Sequence, residues 1–506
     1  MASPRGQDAP PHNKRVNKMA TKHIETIIVG AGLSGICAGY HLQKSGSDSE
    51  YIILEARDNI GGTWDLFRYP GIRSDSDMFT LGYPFRPWQK THGIAEGPEI
   101  LQYIVDTADT FDITKKISFR HRVMEASWDS QQALWTLTVH ANDEQLTYTC
   151  QFLLLCTGYY RYEHGYTPKI PGMETFKGLK LHPQHWPQDT ETKGKRIVVI
   201  GSGATAMTLV PALAQTAEHV TMLQRSPTYV ISRPRLDLFA NFFGKWLPNK
   251  WVYHLTRFKN AALHTLFYQL SKKRPERVKR HIHRQLKTHL GPDFDIEKHF
   301  TPAYNPWDQR VCLIPDADLF HAINAGTASV ETDHIERVTE DGIQLRSGKH
   351  LQADIIVTAT GLDLLAFGGM TFTYDEEPID ISQTLSYRGV MLSGVPNLAF
   401  VFGYTNASWT LKANMACEYI GRLRSYMKRK QFSTCTPTVQ QEDIETQPLL
   451  DLKAGYIKRG ESKFPSQGSQ APWRMYQNVF LDAFSFKWSD FDDPSLQFES
   501  LVVEED

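Results

Sequence analysis

Two glycine turns of the dinucleotide-binding type stand in one chain, Gly30-Ala31-Gly32-Leu33-Ser34-Gly35 and Gly201-Ser202-Gly203-Ala204-Thr205-Ala206. Such a turn needs a strand before it and a helix after it. Its glycines serve the tight bend, the close approach of backbone to a pyrophosphate, and the packing of helix on strand. The run His23 to Val29 leads into the first turn, a helical pattern through Tyr40 and Leu42 follows, and a second strand, Tyr51 to Leu54, ends in Glu55. That acidic residue stands about twenty positions on, as the fingerprint requires. Lys195 to Ile200 leads into the second turn, whose third position is an allowed Ala, and Val220 to Leu223 leads into Gln224-Arg225-Ser226. The expected fold is α/β, with two doubly wound, Rossmann-like dinucleotide-binding domains.

At 506 residues the chain is too long for one core. Residues 1–22, with Pro4, Pro10 and Pro11 and no apolar core for a signal peptide, read as a disordered tail. The first dinucleotide domain is expected at 23–167, closed by the apolar run Phe152 to Gly158, and the second begins over 168–235. Strand signals vanish from 236 to 300, which reads as a helical insertion. The second domain resumes over 301–362. Asp354 to Gly361 echoes Cys156-Thr157-Gly158, so the chain is expected to cross back there and complete the first domain over 363–506. Within the insertion, Lys272, Lys273, Arg274, Arg277, Lys279, Arg280 and Arg284 read as a solvated helix face rather than a membrane or nucleic-acid patch.

Composition excludes several classes. With 41% hydrophobic and 22% charged residues and a net charge of -1, the chain is globular and exerts no overall pull on nucleic acid. The six cysteines lack metal-type spacing and disulfide density, so no metal is expected and reduced thiols in a cytoplasm fit best. No apolar stretch is long enough to span a bilayer.

The two turns differ at their acidic position. Glu55 accepts from ribose hydroxyls and repels a 2'-phosphate, which selects FAD or NAD. Gln224 is neutral and Arg225 is a guanidinium, which suits the 2'-phosphate of NADPH, the alternative being a merely solvated charge. The loop from Gly61 to Asp75, rich in Gly and Pro, reads as cofactor-facing. Trp64 and Tyr69 would form an aromatic wall, unless each is core, and Arg73 with Asp75 a charge pair.

Between the turns, Phe176, Gly178, His182, Trp186 and Pro187 fall at the spacing F-x-G-x-x-x-H-x-x-x-W-P. Together with Gly61-Gly62-Thr63-Trp64, Tyr69-Pro70-Gly71 and Asp75, this resembles the Baeyer-Villiger monooxygenases, relatives of the flavin-containing monooxygenases. Trp186, where the latter usually carry Phe or Tyr, favours the Baeyer-Villiger branch. The segments Asn305 to Cys312 and Gly403 to Lys412, with the late Phe464-Pro465 and Pro472-Trp473, look like the ethionamide-activating subgroup.

The resemblance implies FAD at the first turn (Gly30, Gly32, Ser34, Gly35, Glu55, Gly62, Thr63, Trp64, Asp65, Asp75, Val123). It implies NADPH at the second (Arg73, Ser74, Gly201, Ser202, Gly203, Ala204, Thr205, Ala206, Arg225, Ser226). It further implies that NADPH reduces the flavin, that a flavin peroxide forms with O2, and that a ketone becomes an ester or lactone, with sulfides and thioamides also oxidised. Arg310 matches the family's active-site arginine and Asp75 would orient it. Gln309 stands where many relatives carry a lysine that helps hold the 2'-phosphate, a departure that bears on the NADPH preference. His182 reads as a hydrogen-bonding hinge or an acid-base group, the hinge being preferred. Partners would be a small ketone or sulfur compound and O2, in a monomer or small homo-oligomer. The competing readings are an N- or S-oxygenase of the flavin-containing type and a flavin-binding redox sensor without catalysis. A disulfide reductase would need a redox-active cysteine pair at the flavin, and the sequence has no C-x-x-C or C-x-x-x-x-C pair.

Overall fold

The computed structural model describes residues 21–46, 50–440, 444–450, 452–488 and 491–501. Strand β1 (Lys22–Val29) is the axis of the larger sheet. Ile27 and Ile28 are fully buried, as a parallel strand covered on both faces requires. Beyond the turn, α1 (Leu33–Ser45) ends at Gly46 in the left-handed conformation, and β2 (Tyr51–Leu54) returns parallel to β1. Three helices follow, α2 (Thr63–Leu66), α3 (Met78–Leu81) and α4 (Gly97–Thr110), then β3 (Ile117–Ser118) beside β2. An antiparallel run, β4 (His121–Asp129), β5 (Leu134–Ala141) and β6 (Glu144–Leu155), brings β6 back parallel to β1. Val29 is level with both Leu54 and Leu155, so three strands end together where the first turn begins.

The second unit is a five-stranded parallel sheet in the order β12-β9-β8-β16-β7. Its strands are β7 (Leu179–Leu181), β8 (Arg196–Ile200), β9 (His219–Gln224), β12 (Ala328–Thr332) and β16 (Ile355–Thr358). Helix α5 (Ala204–Leu213) follows the second turn, and β10 (Tyr229–Arg233) pairs with β11 (Val311–Pro315) beside the sheet. Helix α10 (Asp318–Asn324) precedes β12. An antiparallel flap of β13 (Ile335–Val338), β14 (Gly342–Leu345) and β15 (His350–Gln352) precedes β16.

Between β10 and β11 run α6 (Leu238–Phe243), α7 (Asn249–Lys273), α8 (Pro275–Leu290) and α9 (Ile296–Phe300). On α8, Val278, Ile282, Leu286 and Leu290 are buried at four-residue spacing against the second unit, and Arg277, Arg280 and Arg284 face solvent, the expected arrangement. Burial of such a side chain stabilises by roughly 1.5–3 kcal/mol. Helix α7 departs from it: its inward face mixes Val252, Tyr253 and Ala261 with the polar Thr256, Asn260 and Ser271, while Trp251, Leu255 and Phe258 are exposed.

After β16 the chain returns to the first unit. The outgoing and returning segments run side by side, with Tyr160 bridged to Leu364 and Arg161 paired to Asp363 at 2.7 Å. Leu398–Phe400 then joins β6, and α11 (Trp409–Lys430) packs on α1. The short α12 (Gly455–Gly460) and α13 (Val479–Lys487) complete the chain. The expected tail, 1–22, lies outside the described residues except Thr21 and Lys22, and Lys22 already belongs to β1 because it pairs with Tyr148.

Candidate active site

The two glycine turns are braced alike. Gly30 has φ +103°, and a Cβ there would stand 2.6 Å from the Cys156 carbonyl oxygen; Gly201 has φ +140°, with the Ala359 carbonyl 2.3 Å away. Both positions require glycine, since the following strand end crosses directly beneath. The Thr-Gly echo between 157–158 and 360–361 is thus the mark of two equivalent crossings.

A cavity of about 830 Å³ opens at the first turn. Gly30, Gly32, Ser34, Glu55, Gly62, Thr63, Trp64, Asp65, Asp75 and Val123 line it, together with Ser74, Trp186 and Arg310. Gly35 does not: it lies behind the turn, where a Cβ would meet the Gly30 carbonyl at 1.9 Å. No side chain caps the start of α1 at Gly32, so its first N–H groups and dipole are available to an anion. Glu55 is buried and accepts the Ala31 N–H at 2.7 Å and the Arg57 N–H at 2.9 Å. Burial pushes its carboxyl up, and those N–H groups and the Arg57 guanidinium pull it back. Each oxygen keeps a further lone pair for a ribose hydroxyl. Ser34 Oγ accepts from Trp409 Nε1 at 2.8 Å, which ties α11 to the turn. A register shift after Val123 in β4 breaks the ladder beside the cavity.

Two carboxylates of the 61–75 loop have different tasks. Asp65 is 2% exposed and held by Arg57 at 2.8 Å and by Arg68, so it shapes the loop from below. Asp75 Oδ2 stands 3.2 Å from Arg310 NH2, the residue that immediately precedes β11. Their side chains are 38% and 35% exposed, and both line the cavity. The Asp75 carboxylate holds the guanidinium charged, well above its ordinary value, although burial opposes it. Tyr159 and Tyr160 stand edge to face 4.7 Å apart on the cavity wall, and burial pushes the Tyr456 hydroxyl up to about 12. Leu365, Gly368, Ala407 and Trp409 also line the cavity. Sequence reasoning missed Arg57, Tyr159 and Tyr160, whose signal is position: Arg57 is two residues after Glu55, and the tyrosines follow Thr157-Gly158.

Several expectations need correction. Arg73 does not pair with Asp75: its NH1 is 2.5 Å from Asp318 Oδ2 on α10, it does not line the cavity, and it pins the loop to the second unit. Tyr69 is buried against α5, with its hydroxyl toward Thr205 and Thr208, so it is core and not wall. Ser74, by contrast, lines the cavity, and its hydroxyl accepts the Ser76 N–H at 3.0 Å. Gln224 turns inward, donating to the His299 carbonyl at 2.7 Å and to Thr332 Oγ1 at 2.8 Å, so it offers a ligand nothing.

The residues Gly201, Ser202, Gly203, Ala204, Thr205 and Ala206 lie outside that cavity, at the open start of α5. Space beyond Gly203 is clear, and Ser202 Oγ donates to the Ser226 carbonyl at 3.2 Å. Arg225 is exposed at the end of β9, with no ion-pair partner among the described residues.

The fingerprint residues divide by task. Phe176 is core, and a Cβ at Gly178 would strike the Asp354 carbonyl at 2.3 Å. Trp186 is 8% exposed and lines the cavity. His182 Nδ1 accepts the Gln184 N–H at 3.2 Å, and its ring packs on Gly165 beside the two crossing segments. Burial holds the ring below its usual value, hence neutral, and it does not line the cavity. The fold also brings together cysteines that sequence spacing keeps apart: Cys37 on α1 meets Cys417 on α11, and burial pushes the Cys37 thiol well up, toward the unreactive form.

A flavin-binding monooxygenase-like family model matches residues 83–379, and an NAD(P)-binding Rossmann-like model matches 28–92. The FAD-containing monooxygenase EthA of Mycobacterium tuberculosis is 48% identical over 479 residues, covering 94% of this chain and 98% of that protein. The probable FAD-binding monooxygenase AlmA of Acinetobacter baylyi is 47% identical over 481 residues, covering 94% and 96%. Among solved structures, an OTEMO complex with FAD and NADP superposes with TM-score 0.68 at 23% identity, over 82% of this chain and 88% of that one. An oxidised steroid monooxygenase bound to NADP gives 0.69 at 21% identity, over 82% and 88%.

Proposed function

The chain belongs to the flavin-binding monooxygenase-like family, and from that premise we propose that it is an FAD- and NADPH-dependent monooxygenase that inserts one atom of O2 beside a ketone carbonyl, giving an ester or lactone, and also oxidises sulfides and thioamides. The observation that carries this reading is the Asp75–Arg310 pair, which opens onto the same cavity as the first glycine turn.

The residues present fit a flavin dinucleotide. The uncapped start of α1 suits its pyrophosphate, Glu55 suits its ribose, and the cavity lies in the ordinary range for an enclosed cofactor. Gly30, Gly32, Ser34, Glu55, Gly62, Thr63, Trp64 and Val123 would hold it, with Gly35 and Asp65 shaping the cradle. When bound, FAD supplies the redox chemistry, in which NADPH, a proton, O2 and the ketone become NADP, water and the ester.

Arg310 keeps a permanent positive charge facing the cavity and donates to an oxyanion that develops on the substrate carbonyl. A donor of this kind typically contributes about 2.7–4 kcal/mol in the transition state. Asp75 fixes the direction of that guanidinium and keeps it protonated. The Trp64, Tyr160 and Trp409 rings line the same cavity as the guanidinium and would shelter the charge once the cofactor and substrate fill it. NADPH would enter at the second turn, with its pyrophosphate at the start of α5 and its 2'-phosphate on Arg225, since Gln309 supplies no charge. His182 would steady the crossing segments as the two units close on NADPH.

Turnover with 18O2, NADPH and either a methyl ketone or a thioether tests the reading. Labelled ester from the ketone is expected. Labelled sulfoxide with no ester would replace it by heteroatom oxygenation, and NADPH oxidation with no label in either product would remove monooxygenation altogether.

A further inference from the structure

The exposed apolar surface is concentrated in one place. Of nineteen exposed large hydrophobic side chains among the described residues, eleven lie between Leu236 and Leu270 and four between Phe480 and Trp488. Soluble surfaces scatter such residues singly. Here Trp246 is 79% exposed, Trp251 65%, Phe258 64%, Phe484 69% and Trp488 71%. The two stretches meet, since the Phe258 and Phe480 rings are 5.7 Å apart. Trp251, Leu255, Phe258 and Leu266 share the outer face of α7, at steps of four, three and eight residues, while that helix buries Val252, Tyr253, Thr256, Asn260, Ala261 and Ser271 on its inner side.

Exposed charge on the patch has one sign, since Asp237 at its edge is largely buried and paired with Lys259 at 2.8 Å. From Leu238 to Pro275 there is no Asp or Glu, whereas Lys245, Lys250, Lys273 and Arg274 are exposed along the same stretch. Asp482 on α13 is buried and committed to Tyr404 and Lys412. A second copy of the chain on this face would set cations against cations. An anionic bilayer would complement them, and tryptophans at the borders of an apolar stripe suit the headgroup level. No helix among the described residues is long and apolar enough to cross a membrane, so the geometry is one of lying on the surface.

We propose that the outer face of α6, α7 and α13 docks the protein on an anionic lipid bilayer, with Trp246, Trp251, Phe258 and Phe484 inserted at headgroup depth. Beneath it, Ala261 of α7 packs on Tyr404 and Leu411, and Tyr404 lines the cavity, so the docked face backs directly on the cavity wall.

Co-sedimentation of the FAD-loaded full chain with vesicles of phosphatidylcholine alone or with 30 mol% phosphatidylglycerol (about one headgroup charge per three lipids) decides it. The wild type is expected to pellet with the anionic vesicles and to be released as salt rises. Lys250→Glu/Lys273→Glu should weaken binding by more than about twentyfold, each lysine being good for about fivefold. Trp246→Ser/Trp251→Ser should abolish pelleting, with NADPH oxidation on a soluble substrate unchanged. Wild type that stays in the supernatant with anionic vesicles overturns the proposal. So does a wild-type dimer in sedimentation velocity that the tryptophan variant converts to monomer, which would assign the face to self-association.

Discussion

Lys412 Nζ stands 3.3 Å from Asp482 Oδ2 with the two side chains 0% and 4% exposed, and the same oxygen accepts the Tyr404 hydroxyl at 2.6 Å. This buried pair fastens α13 to α11 immediately behind the cavity wall. Burial pushes the ammonium below its ordinary value and the carboxylate pushes it back up. Removing one partner strands the other charge, so Asp482→Ala should cost about 3–5 kcal/mol in urea unfolding. Lys412→Met with Asp482→Leu should restore most of that loss. A single variant as stable as wild type would mean that water reaches the pair.

Arg310→Ala should still bind FAD and oxidise NADPH, yet lose oxygenated product by about 100- to 1,000-fold and release hydrogen peroxide instead. Asp75→Asn should fall between the two, because the guanidinium remains but is no longer held in place. The check is the ratio of peroxide to ester formed per NADPH consumed. Wild-type coupling in Arg310→Ala would take that residue out of the chemistry.

Arg225→Ala should raise the Michaelis constant for NADPH by about ten- to a hundredfold and leave that for NADH nearly unchanged, since a charged hydrogen bond of roughly 1.5–3 kcal/mol is made only with the phosphate. Gln224→Ala, by contrast, should act through stability, because its amide bonds the backbone at His299. Parallel changes for both nucleotides in Arg225→Ala would point to a general loss of the second turn.

Five histidines, His41, His182, His254, His264 and His299, are held below their usual value, each first of all by burial. The unfolded chain binds their protons at a pH where the folded chain does not. Their contribution is therefore intact above about 6.5 and is lost as pH falls below it. The melting temperature should decline between pH 7 and 5. Glu55, whose carboxyl is raised by burial, acts in the opposite sense, but only nearer its ordinary range. A flat or rising melting temperature across that interval contradicts the assignment.

The dinucleotide turns were legible because their requirements are local. A glycine at positive φ between a strand and a helix, with Glu55 or Gln224 at the end of the neighbouring strand, is written within a few tens of residues, whereas the strand ends that cross beneath, at Cys156 and Ala359, come from far along the chain. The same holds for α8, whose buried stripe follows from its own period. The 176–187 run was read as a hinge centred on His182; that Trp186 lines the cavity while Phe176 is core was visible only in the fold.

Residue types and their spacing alone determined two strand-turn-helix units, their order and the chemistry they can hold, since backbone dihedral preference and hydrophobic period act over short distances. The tertiary fold decided the partners. Asp75 met Arg310 while Arg73, two residues earlier, met Asp318; Tyr69 and Gln224 turned into the core; and α7 turned its aromatic face outward. Each of these depends on what a distant segment places opposite a side chain. Charge pairing and burial are properties of that meeting, which no window of sequence contains.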